Sequence, residues 1–93
     1  MKVRHFCPAC GFELDFEPWK GCSASDEICP CCGIQFGYDD FAGSNDRKLM
    51  DRIYIRWRKK WIETGMIWWS EGRKPPREWN PSEQLRKAFK EEN

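Results

Sequence analysis

The chain has 93 residues, of which 40% are hydrophobic and 33% charged, with a formal net charge of +1. It is one small domain, near the size where an apolar core alone is marginal, and no stretch approaches the roughly 20 apolar residues that a bilayer-spanning helix needs. The charge is split along the chain: residues 1–45 hold three Lys/Arg against seven Asp/Glu, a net of −4, and residues 46–93 hold thirteen against eight, a net of +5.

Lys2, Arg4 and His5 lead at once into Cys7, with no secretory leader pattern between them. The expected location is therefore the cytoplasm, where thiols stay reduced and paired cysteines are metal ligands more often than disulfides. A secreted miniprotein with three bridges is the weaker alternative for six cysteines.

Cys7 and Cys10 sit in Cys-Pro-Ala-Cys-Gly, and Cys29 and Cys32 in Cys-Pro-Cys-Cys-Gly, with eighteen residues between the two pairs. This spacing reads as one tetrahedral site built from two knuckles. Gly11 and Gly33 occupy equivalent places, where a knuckle needs a residue that accepts positive φ without strain. Each copy continues with an alternating apolar pair, Phe12/Leu14 and Ile34/Phe36, so residues 3–36 read as two short hairpin arms. The first strand runs through Phe12, Leu14 and Phe16 and ends at Pro18; residues 20–28 read as loop.

Residues 38–44 are a turn-rich connector. A helix is expected from Asp46 to Thr64, capped by Ser44 or Asn45, with Leu49, Met50, Ile53, Trp57 and Trp61 as its apolar face and Gly65 as its stop. Met66 to Trp69 read as a strand or an irregular apolar return, and Glu71 to Arg77 as a turn or linker around Pro75 and Pro76. Asn80-Pro81-Ser82-Glu83 is an N-cap, a proline at N1 and an acid at N3, opening a short helix to about Lys90 that packs Leu85, Ala88 and Phe89.

Four thiolates suit Zn²⁺, and four protein ligands leave no position for water, so the expected role is one structural zinc ion. Three other readings stand beside it. The cysteines are ordinary thiols, or they hold iron as in rubredoxins, whose knuckles are similar, or they are redox pairs, which lack the βαβ setting such motifs need. Cys31 takes the place of Ala9 in its knuckle and reads as a bystander. Cys22 reads as a spare thiol and His5 as a packing or exposed residue, with a place in the metal's ligand set the weaker alternative for Cys22, Cys31 and His5.

No catalytic constellation is present: there is no HExxH, no Gly-rich phosphate loop and no GxSxG, and the chain has one histidine. A non-enzyme is expected. Asp39 and Asp40 read as turn or capping residues. Arg47, Lys48, Arg52, Arg56, Arg58, Lys59 and Lys60 crowd the long helix. They are either a solvated face balanced by Asp46, Asp51, Glu63 and the acidic first half, or a phosphate-binding face. Trp57, Trp61, Trp68, Trp69 and Trp79 fall within 23 residues. That is more than one small core usually takes, so at least one is expected on the surface as an anchor for a partner.

The two knuckles, followed by Gly37-Tyr38-Asp39-Asp40, resemble the small bacterial cysteine-rich CPCC family over about residues 6–70. The resemblance implies a bacterial zinc-ribbon-like protein with Cys7, Cys10, Cys29 and Cys32 as matching ligands. Some relatives lie beside toxin genes, which associates the family with an immunity role.

The expected architecture is α+β in one domain, 1–93. A zinc-ribbon-like two-knuckle hairpin module (1–44) is followed by a Trp-rich half (45–93) with one long helix and a short C-terminal one. The expected function is protein binding through Trp68, Trp69, Arg52, Arg56 and Lys59, with an immunity-type inhibitor as one version. Nucleic-acid binding through residues 46–64 is the alternative, and rubredoxin-like electron transfer on iron is the second alternative.

Overall fold

The computed structural model describes residues 3–42 and 46–89. It is an α+β arrangement of two small antiparallel hairpins and two helices. β1 (His5–Phe6) pairs with β2 (Glu13–Leu14) in the register His5 to Leu14 and Phe6 to Glu13. β3 (Trp19–Lys20) pairs with β4 (Ser23–Ala24), Trp19 opposite Ala24. The second knuckle is closed by one antiparallel bridge, Ile28 to Gln35. Both arms are thus shorter than the apolar alternation predicts.

The β3–β4 hairpin takes the place of most of the loop expected over residues 20–28. It turns through Gly21 and Cys22, with Gly21 at φ +63°, and its strands are too short to show alternation. It is fixed from outside by a buried carboxylate. Asp40 is fully buried and accepts from the indole of Trp19 at 2.8 Å, the hydroxyl of Tyr54 at 2.6 Å and the N–H of Gly37 at 2.7 Å. Asp39 instead caps the turn, accepting from the N–H of Gln35 at 2.8 Å. The acidic pair therefore does turn chemistry, and Asp40 also joins hairpin, turn and helix.

α1 (Arg47–Glu63) starts on Asp46, whose extended backbone and carboxylate cap the N–H groups of Lys48 and Leu49. This replaces the expected caps Ser44 and Asn45, which lie outside the described residues. The helix stops as expected at Gly65, φ +104°. The Gly65 N–H reaches Ile62 O and the Met66 N–H reaches Trp61 O, the double bond pattern of a Schellman end.

The buried residues of α1 are Met50, Tyr54 and Trp61, with Ile53 and Trp57 half-buried. Leu49 is exposed, contrary to the periodicity reading, and Tyr54, one turn on from Met50, takes an inward place instead. α2 (Pro81–Ala88) is capped by Asn80, whose Oδ1 accepts from the Glu83 N–H at 3.0 Å. Glu83 pairs with Arg86 and Lys87 on the surface. Lys90, the expected helix end, lies outside the described residues.

One core runs through both halves. It joins Cys7, Cys10, Cys29 and Cys32 to Phe12, Leu14, Ile34, Phe36, Met50, Tyr54 and Trp61, with Trp19, Trp57, Trp68 and Trp79 packed against it. Among the described residues, no helix is long and apolar enough to cross a membrane.

Candidate metal centre

The two knuckles are built alike, atom for atom. In the first, the Gly11 N–H donates to Cys7 O at 2.8 Å and the Cys7 N–H to Phe12 O at 2.9 Å. In the second, the Gly33 N–H donates to Cys29 O at 2.9 Å and the Cys29 N–H to Ile34 O at 2.9 Å. Gly11 and Gly33 lie at φ +85° and +82°, where a side chain is strained. Two equal sequence repeats therefore give two equal turns, and each turn points two sulfurs inward.

The sulfurs of Cys7, Cys10, Cys29 and Cys32 all lie within 4.8 Å of one another, and all four residues are buried. Cys7 Sγ is 3.8 Å from Cys32 Sγ, and Cys10 Sγ is 3.7 Å from Cys29 Sγ. A tetrahedron with metal–sulfur bonds of 2.3 Å has edges of about 3.8 Å. A disulfide needs about 2.05 Å. The spacing is that of four ligands around one ion.

Hydrogen bonds from Cys10, then Cys32 and Cys7, push the Cys29 thiol down, while sharing bonds with Cys29 and then Cys31 pushes Cys10 up. A divalent cation at the centre allows all four to be thiolates together.

The outer sphere comes from the second half of the chain. Each knuckle exposes three carbonyls, and all six are taken. Arg58 donates from Nη2 to Pro8 O at 2.9 Å and from Nε to Ala9 O at 2.7 Å. Gln84 donates from Nε2 to Cys10 O at 2.9 Å. The N–H groups of Ser70 and Trp69 donate to Pro30 O and Cys31 O at 2.9 and 3.0 Å, and the Trp57 indole to Cys32 O at 3.2 Å. Buried carbonyls demand partners, and such partners orient the ligands of a metal site.

The knuckle glycines also meet the second half directly. A Cβ on Gly11 would lie 2.5 Å from Ala88 Cβ, and one on Gly33 would lie 2.4 Å from Trp69 Cδ1. α2 covers the first knuckle and Trp69 the second. Spacing alone identified the glycine turns; the close approach of distant side chains left no local mark.

The other expected site residues are placed as follows. Cys31 is fully buried beside the cluster, its sulfur 3.5 Å from Gln84 Nε2. Cys22 is exposed on the β3–β4 turn, and His5 is half-buried on β1; neither joins the sulfur cluster. Trp68 is half-buried, stacked edge-on against Phe12 and Trp79, with its indole bonded to Arg73 O. Trp69 is 52% exposed. Arg52, Arg56 and Lys59 are exposed on α1.

Arg58, one of the cations crowding the long helix, turns inward; its guanidinium carbon sits 3.5 Å from the centre of the Phe89 ring. Arg58 and Gln84 are the residues the sequence reading missed. Their position is visible only once α1 and α2 are docked. Comparison of the chain with protein-family models, with curated proteins and with solved structures finds no match.

Proposed function

We propose that the chain is a structural-zinc protein whose work is to bind another protein. The observation that carries this is the closure of the centre. Four buried sulfurs fill the tetrahedron, and all six surrounding carbonyls are bonded within the chain. A catalytic zinc keeps one position open for water or substrate; four-sulfur closure supports a scaffold. Zinc–thiolate binding supplies about 10–16 kcal/mol of folding free energy in small peptides. That is comparable to the whole stability of an ordinary domain, about 5–15 kcal/mol. Iron fits the same four sulfurs and would give a red, redox-active protein; a colourless metal-loaded protein identifies zinc and removes the electron-transfer reading.

Binding is supported by what the scaffold leaves outside. Among the described residues, Arg52, Arg56, Lys59 and Lys60 form no ion pair, so Asp46, Asp51 and Glu63 do not balance them at contact distance. Ile55 and Ile62 lie exposed on the same helix, 53% and 42%. Cations interleaved with exposed aliphatic side chains favour an acidic protein surface over a phosphate backbone, which gains nothing from isoleucine. An immunity-type inhibitor, in line with the CPCC resemblance, is the concrete version and forms a stoichiometric complex with its toxin.

The unpaired cations also support a second reading, nucleic-acid binding through α1. Capture of partners from the source cell at two salt concentrations separates the two. A protein partner retained at high salt supports the proposal. Nucleic acid bound with affinity falling steeply in salt, and weakened by charge removal at Arg52, Arg56 and Lys59, supports the second reading.

A further inference from the structure

Between the end of α1 and the return 66–70 lies an open cleft of about 450 Å³, walled by Trp57, Trp61, Trp68, Trp69 and Ile67, with Lys60 at its edge. Three of the four indole N–H groups are already committed to backbone carbonyls: Trp57 to Cys32, Trp61 to Ile67 and Trp68 to Arg73. The interior therefore offers apolar faces and few donors. An apolar side chain gains most.

Trp69 is held open rather than loosely exposed. Its backbone N–H is bonded to Cys31 O, the backbone N–H of its neighbour Ser70 to Pro30 O, and its ring rests on Gly33. An aromatic fixed before binding loses little conformational entropy when it is covered. Lys60 at the edge is exposed and, among the described residues, unpaired, as are Arg56 and Lys59 on the same helix. Lys60 thus sets a positive charge in the cleft lining, and Arg56 and Lys59, outside the lining on the same helix, extend it, which suits an acidic occupant.

We infer that this cleft is the docking point for the partner, taking one large apolar side chain that sits within an acidic segment of a protein chain. The inference rests on the protein-binding reading above and adds the site and the recognised chemistry. The metal centre serves it directly, because the second knuckle supplies the floor on which Trp69 stands.

The test uses the full metal-loaded chain, ¹⁵N-labelled, titrated with the peptide acetyl-Asp-Asp-Phe-Asp-Asp-amide while the indole N–H signals are followed by NMR. Two control peptides replace Phe by Ser, or every Asp by Lys, and an oligothymidylate is titrated separately. The expected result is a saturable shift of the Trp69 indole signal, with affinity at least tenfold weaker for either control peptide and for the exposed-site variant Lys60→Glu. Trp69→Ala, followed through the indole signals of Trp57, Trp61 and Trp68, should abolish binding while retaining its metal.

No shift at millimolar peptide, equal binding of the Ser control, or oligothymidylate shifting the same signal and displacing the peptide would each overturn the inference. If a cellular protein partner binds Lys60→Glu and Trp69→Ala as tightly as the parent chain, the protein-binding reading stands and this cleft is ruled out as its site. If the peptide binds as expected and no cellular protein is captured, the cleft chemistry holds and the wider reading fails.

Discussion

Arg58 Nε lies 2.7 Å from the carbonyl oxygen of Ala9, 49 residues away in sequence, with the guanidinium stacked on Phe89. One side chain thus ties α1, the first knuckle and the end of α2 together. Truncation would leave the carbonyls of Pro8 and Ala9 without these donors. Arg58→Ala should lower stability by about 2–3 kcal/mol, since hydrogen bonds to charged groups contribute about 1.5–3 kcal/mol. It should also weaken metal binding about 10–100-fold, as loss of outer-sphere partners does. Arg58→Lys should recover little, because an ammonium cannot span two carbonyls and stack on a ring. Denaturant unfolding and competition with a metal chelator measure the two effects.

The glycines should separate by their surroundings. Gly33→Ala adds a Cβ 2.4 Å from Trp69 at a positive φ, and Gly11→Ala does the same against Ala88 at 2.5 Å. Backbone strain of about 1–2 kcal/mol and overpacking of about 1–3 kcal/mol both apply. Gly21→Ala meets nothing within 4 Å, so only the backbone strain applies there. Thermal unfolding of the three variants should rank Gly21→Ala clearly the mildest.

The ligand set makes a sharp prediction. Cys7→Ser, Cys10→Ser, Cys29→Ser and Cys32→Ser should each lose the stoichiometric metal. Cys22→Ser should keep it, being exposed and outside the cluster, and Cys31→Ser should keep it with some loss of stability from its buried site. Four thiolates must be unprotonated to bind, so the metal should leave as pH falls, with proton uptake. Elemental analysis of each variant decides the assignment.

Tyr54 supplies a test at the other end of the pH scale. Burial first, then the hydrogen bond to Asp40 and the charge of Asp40, push its phenol well above the ordinary value near 10. A group raised in the folded state contributes stability that is fully present below its unfolded pKa and is lost as pH rises above it. Stability should therefore hold below about pH 10 and fall beyond it, with the Tyr54 phenolate appearing in the ultraviolet only as the chain unfolds. Tyr54→Phe should remove this dependence at a cost of about 1 kcal/mol, and Asp40→Ala, which strands three donors, should cost about 3 kcal/mol or more.

The knuckles were legible because cysteine spacing and glycine placement are local. The helices were legible because Asn80-Pro81 and Gly65 punctuate the chain chemically. Asp40 was not, because its partners Trp19 and Tyr54 lie 21 and 14 residues away. Arg58 was read as a solvated cation because helical periodicity cannot tell a guanidinium facing water from one facing a row of carbonyls. The β3–β4 hairpin left too few residues to show a period. For Asp40 and Arg58 the missing information was a long-range polar contact, which composition and periodicity do not encode.

The most direct measurement is metal content joined to folding. Full-length chain purified without chelator should carry one zinc ion per molecule, and stripping that ion should collapse the near-ultraviolet tryptophan signal of both halves together. A metal-free chain that keeps the same signal and the same cooperative unfolding would contradict the account.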